Sequence, residues 1–175
     1  METIARIPKT ALEVFRLLPE GTLCEDIDNV LYMSPAPLLE HQRMVGLFYR
    51  TIFKHLELSN TGEIFVSPVD VYFEVFQSVV QPDVVVVMNE NKNILEKDGI
   101  HGSPDLIIEV LSGDTKRDLV EKKSLYERAG VTEYFIVNPD SRQVTSWLLQ
   151  HGAYFQQYNE AGKFKSKVLN FSFEF

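Results

Sequence analysis

Two carboxylates stand where the sequence otherwise has only apolar side chains. The run Leu106-Ile107-Ile108-Glu109-Val110-Leu111 is aliphatic except at Glu109, and Asp83 opens a second run, Asp83-Val84-Val85-Val86-Val87-Met88. Runs of this kind read as central strands covered on both faces. A charge placed there is costly unless it is paired, protonated or bound to a cation. If the two strands pair antiparallel, Asp83 falls beside Glu109 and Leu111, with directly opposed residues about 4.5–5.5 Å apart. Two carboxylate oxygens at that separation can share one hard divalent cation, with water completing its shell. The residues leave a structural alternative open, in which Asp83 caps its strand and Glu109 pairs with a lysine or arginine.

A third group comes from the helix expected over 115–129. Its inward stripe runs through Asp118 or Leu119, Lys122, Leu125 with Tyr126, and Ala129, so Lys122 interrupts an apolar face. Asp118, Lys122 and Tyr126 share one side of the helix at spacings of four. A lysine aimed at two carboxylates can orient a water nucleophile or stabilise charge on a phosphorane-like transition state; the same geometry equally gives a structural ion pair with Glu109. His41, near the start of a long helix, could serve as a ligand, an acid or a phosphate contact, or be structural. Glu40 beside it is an alternative helical carboxylate. Asp105 shares a strand face with Glu109 but lies about 13 Å from it and suits ordering of the strand start. Asp70 reads as a supporting carboxylate or a sheet-edge charge. Lys116-Arg117 and Lys122-Lys123 form the densest basic patch, either a phosphate contact or a solvated helix face.

The elements that must position these groups follow from pattern and punctuation. A short helix fits residues 9–18, stopped by Pro19. Residues 23–33 read as two short strands around the turn signal Asp26-Ile27-Asp28-Asn29. A long helix fits 38–57, with Leu38, Met44, Val45, Phe48, Ile52, Phe53 and Leu56 at helical spacing. Strands are expected near 62–67 and 69–76, at 83–88, 105–111 and 132–137, then near 143–149 and 153–158 around His151-Gly152. The tail 167–175 fits an edge strand. Residues 89–104 are polar and read as a long, mobile connection. Ser112-Gly113-Asp114-Thr115 offers N-caps for the helix that Gly130 ends. The order predicts an α/β fold, a mixed sheet flanked by helices, with added β-hairpins toward each end.

Composition narrows the class. The 175 residues, 45% hydrophobic and 24% charged, fit a single globular domain, 1–175. No apolar stretch approaches the ~20 residues that span a bilayer, so no membrane partner is expected. The first residues lack the pattern of a signal peptide. A lone cysteine, Cys24, allows no internal disulfide, and a reducing cytoplasm is the expected compartment. The net charge of −8 argues against a broadly basic duplex-binding surface. Nucleic-acid binding would then be local, metal-dependent or aided by a partner.

Taken together, several stretches closely resemble the Uma family of restriction-endonuclease-like proteins, within the PD-(D/E)XK nuclease superfamily. They are Pro82-Asp83, the segment Pro104 to Ser112, Asp118 to Lys122, and Tyr126 to Val137; Ser34-Pro35, His41-Gln42 and Gly62 to Val66 look like the upstream motifs. The resemblance spans roughly residues 20–160. It implies a restriction-endonuclease-like core and hydrolysis of DNA phosphodiester bonds dependent on Mg2+ or Mn2+, often by a homodimer. Asp83 and Glu109 would hold the metal. One departure stands out: two residues after Glu109 the superfamily carries lysine, and this chain carries Leu111. The resemblance implies that the lysine has moved to the next helix as Lys122, the residue the helical stripe singles out. A catalytically inactive binding or assembly module on the same fold is the alternative.

Overall fold

The computed structural model describes residues 7–112 and 116–175. The short helix α1 (Ala11–Phe15) is capped by Thr10, whose hydroxyl accepts from the Glu13 N–H. β1 (Cys24–Ile27) and β2 (Val30–Met33) make an antiparallel hairpin closed by Asp28-Asn29, with φ of 49° and 65°. A two-residue turn with positive φ matches the twist of its strands. The turn is thus tighter than the four-residue signal suggested, and Glu25, Asp26 and Ile27 are all drawn into a buried strand.

The long helix α2 (Leu39–Ser59) buries His41, Met44, Val45, Phe48, Ile52 and Leu56. Leu38 and Phe53, expected on the same stripe, are exposed. After β3 (Gly62–Val66), the expected second strand divides into β4 (Val71–Phe73), a 3-10 turn at Glu74–Phe76, and β5 (Ser78–Val80). β6 (Val84–Met88) is followed by the 89–104 connection. That segment carries a 3-10 stretch, Asn89–Ile94, and the short β7 (Ile100–His101), which pairs parallel with β4. β8 (Leu106–Val110) leads to a π-helical turn, Arg117–Lys122, which runs into α3 (Lys123–Ala129). The expected caps at 113–115 lie outside the described residues. β9 (Glu133–Val137) precedes the hairpin of β10 (Gln143–Gln150) and β11 (Ala153–Ala161). The tail forms a second hairpin, β12 (Lys163–Ser166) and β13 (Phe171–Glu174), rather than one strand.

Six strands form the central sheet in the order β11-β10-β9-β8-β6-β3, and five form a second sheet, β2-β1-β5-β4-β7. The central sheet is mixed: β8 pairs parallel with β9 and antiparallel with β6. Its strands are apolar at successive positions because both faces are covered. On one face Val84, Val86, Leu106, Ile108 and Phe135 pack against α2 and the C-terminal hairpin. On the other, Val85, Val87, Ile107, Tyr134 and Ile136 meet Ile27, Val71 and Val80 of the second sheet and Leu125 and Tyr126 of α3. Glu109 shares the parity of this second face and opens toward β1 and α3, whereas Asp83, just ahead of β6, meets the start of α2 at the sheet end.

Candidate active site

The β6–β8 register pairs Val84 with Ile108 and Val85 with Ile107, which sets Asp83 opposite Glu109 at the sheet end. Asp83 Oδ2 accepts two hydrogen bonds, from the Val110 N–H at 2.7 Å and from His41 Nε2 at 3.0 Å. Glu109 is buried, and its Oε1 accepts from Lys122 Nζ at 3.0 Å and from the Tyr126 hydroxyl at 2.7 Å. Each carboxylate is therefore held by one oxygen. Among the described residues, Asp83 Oδ1 and Glu109 Oε2 accept no hydrogen bond.

Lys122 is the hub. Its Nζ lies 2.8 Å from Glu25 Oε1, 3.0 Å from Glu109 Oε1 and 3.7 Å from Asp118 Oδ1. Glu25 Oε1 also accepts the Gln81 N–H at 2.8 Å, and Glu25 Oε2 lies 3.7 Å from Arg117. The π-helical turn brings this about: it places Asp118 and Lys122 on the buried side and turns Leu119 and Val120 to solvent. Single π turns of this kind recur at functional sites.

Burial works against the Lys122 ammonium, but Glu109, Glu25 and Asp118 outweigh it and hold the group protonated. Burial pushes the Glu109 carboxyl up, with Lys122 as the opposing influence. Asp118 is pushed up to about 6 by burial, again against Lys122. Burial would lower His41, yet its bond to Asp83 leaves it raised. Four carboxylates (Glu25, Asp83, Glu109, Asp118) face two fixed cations (Lys122, Arg117), an excess of two negative charges when all are ionised. Two unbonded carboxylate oxygens suit a divalent cation, which commonly takes only one or two protein carboxylates and leaves its other positions to water and phosphate. No three ligating atoms of this cluster lie within 4.8 Å of one another among the described residues, because the Lys122 ammonium stands between the acids.

The structure thus brings together Asp83, Glu109, Lys122 and His41. Glu40 is not among them: its carboxylate bonds Arg43 on the exposed side of α2. Asp105 lies at the far end of β8 and accepts the Met88 N–H at 2.7 Å, ordering the strand start. Asp70 accepts from Gln81 Nε2 at 2.8 Å, the residue whose backbone binds Glu25. Sequence reasoning missed Glu25. The available signal was parity: in a buried strand, Glu25 and Ile27 share a face.

Residues 11–173 match the family model described as "Putative restriction endonuclease", Uma2. The fold is similar to that of a crystal structure from Anabaena variabilis ATCC 29413, described as a putative nuclease belonging to DUF820. That likeness has a TM-score of 0.69 at 20% identity and covers 87% of this chain and 83% of the other. At that identity it speaks to the fold alone. No curated protein matches the chain. The family match runs from α1 to β13, and the protein is a member of the Uma2 family of restriction-endonuclease-like proteins.

Proposed function

We propose that the protein is a Mg2+- or Mn2+-dependent endonuclease that hydrolyses DNA phosphodiester bonds in the cytoplasm. The observation that carries this reading is the convergence of Asp83 and Glu109, each with one unbonded oxygen, beside the buried ammonium of Lys122. Asp83 and Glu109 are the residues that would hold the cation, which when bound supplies Lewis-acid stabilisation of phosphoryl charge and activates water. The chain's own groups do the positioning. The Val110 N–H and His41 fix the Asp83 carboxylate, and Tyr126 fixes Glu109. Lys122 keeps a permanent positive charge at the sheet end, where negative charge grows as a phosphodiester is attacked. Glu25 and Asp118 hold that ammonium in place.

The test is cleavage of supercoiled plasmid and labelled duplex in Mg2+ or Mn2+. Glu109→Gln is expected to lower the rate at least about 100-fold, the equivalent of roughly 2.7 kcal/mol. Full activity and Mg2+ binding in that variant would overturn the assignment.

A second reading, an inactive binding or assembly module, rests on one observation: Lys122 is shared among three carboxylates, an arrangement complete without metal. A Mg2+ titration followed by thermal unfolding separates the two, because only a metal-binding native state is stabilised by added ion.

A further inference from the structure

A second group of ligand atoms lies away from this centre, on the turn that enters β7. Glu96, Asp98 and His101 each offer one metal-ligating atom, and these atoms all lie within 4.8 Å of one another; no other three residues group so closely among those described. Asp83, Glu109 and Lys122 take no part. We propose that this turn is a site for a borderline divalent transition cation such as Zn2+, bound by Glu96, Asp98 and His101, with Glu74 orienting the imidazole.

Three features carry the proposal beyond a cluster of surface acids. The first is the histidine and its bearing. His101 Nε2 lies 3.2 Å from Asp98 Oδ1, while Nδ1 lies 3.6 Å from Glu74 Oε1 on a different element. At 3.6 Å the Glu74 carboxylate is within ion-pair reach and favours the proton on Nδ1, which leaves Nε2 as the ligand nitrogen, the side on which Asp98 lies. The second is rigidity. The ring stacks on Tyr72 with centroids 4.5 Å apart at 16°. The turn itself is anchored by Glu96 N–H to Gly99 C=O at 2.9 Å and Ile100 N–H to Asp70 C=O at 2.9 Å. A Cβ at Gly99 would stand 2.6 Å from the Asp70 carbonyl and 2.8 Å from the Tyr72 ring, so a larger residue would lift the turn off β4. The third is space: a cavity of about 380 Å³ reaches Glu74, Glu96 and His101, leaving room for water or a small anion in an open fourth position.

The donor set selects the metal. Imidazole favours Zn2+ and its neighbours, whereas Mg2+ prefers oxygen alone. Occupancy would fasten the turn at 96–101 to the 3-10 turn at Glu74–Phe76.

Zn2+ titration by calorimetry of the whole protein and four variants tests the idea. Zn2+ binding at this site should be lost in His101→Asn and in the double variant Glu96→Gln/Asp98→Asn, and retained in Asp83→Asn. Glu74→Gln should weaken it roughly tenfold, an effect a loose patch of acids would not show. Unchanged affinity in the Glu96/Asp98 double variant, or binding lost only in Asp83→Asn, would overturn the proposal. The double variant alters two exposed side chains, so it keeps the test decisive if His101→Asn fails to fold. Because Asp83→Asn disables only the other centre, failure of the nuclease assignment would leave this result standing.

Discussion

Asp26 shows at the scale of one residue what the site residues avoid. It is fully buried on β1, yet neither carboxylate oxygen has a hydrogen-bond partner among the described residues. Burial pushes its carboxyl above the ordinary 3.8. A raised folded-state value means that the native protein holds its proton more tightly than the unfolded chain. Stability therefore falls as pH rises from 3.8 through the raised value, and the loss persists at neutral pH. Asp26→Asn is expected to stabilise the protein at about pH 7 by the order of 1 kcal/mol, with the gain vanishing toward pH 3.8. Denaturant unfolding of both proteins at the two pH values measures this; an equal gain at both would show that charge is not the cause. Glu25, next door, escapes that cost through Lys122 and the Gln81 N–H. The same pair of neighbours explains what was legible. Glu109 and Lys122 stood out because each interrupts an apolar period, and Asp83 because it opens an apolar run. Asp26 was read into the turn signal and Glu25 drew no notice, since a four-residue strand is too short to display a period. Glu40 and His41 were adjacent candidates, and only the helix's rotation decided that His41 faces Asp83 while Glu40 meets Arg43.

Among elements, the long helix and the central strands were readable because their apolar runs are long relative to their punctuation. The π-helical turn was not, since one extra residue within six leaves no mark on a helical period. β7, within the polar 89–104 connection, was unreadable for another reason: it is set by backbone bonds to β4, which composition does not encode. Within α2 one position is out of keeping with the helix around it. Gly46 is exposed, and a Cβ there meets nothing within 4 Å. Gly46→Ala should stabilise the protein by about 0.5–1 kcal/mol through helix propensity and a less flexible unfolded chain. The midpoint of urea unfolding reads this directly, and a fall in that midpoint would mean the position has a contact not apparent from its open surroundings.

The whole molecule is closed by its last residues. Phe164, Phe173 and Phe175 surround Phe48 of α2 with ring centroids 5.2–5.5 Å apart, and Phe164 also meets Phe135 of the central sheet at 4.6 Å. Burying one phenylalanine contributes about 1.5–3 kcal/mol, and a domain's entire margin is roughly 5–15 kcal/mol. Removing residues 162–175 should therefore abolish cooperative thermal unfolding, as followed by circular dichroism. A truncated chain with an unchanged transition would show that the hairpin is only an ornament.

The ion network around Lys122 is also stretched along the chain, with Glu25 near one end of it and Tyr126 some hundred residues on. Contacts of such separation form late, after shorter loops have closed. A polypeptide still leaving the ribosome has Glu25 exposed long before its lysine partner is made. The buried network is consequently one of the last parts of the fold to close, and it is assembled only when nearly the whole chain has been made.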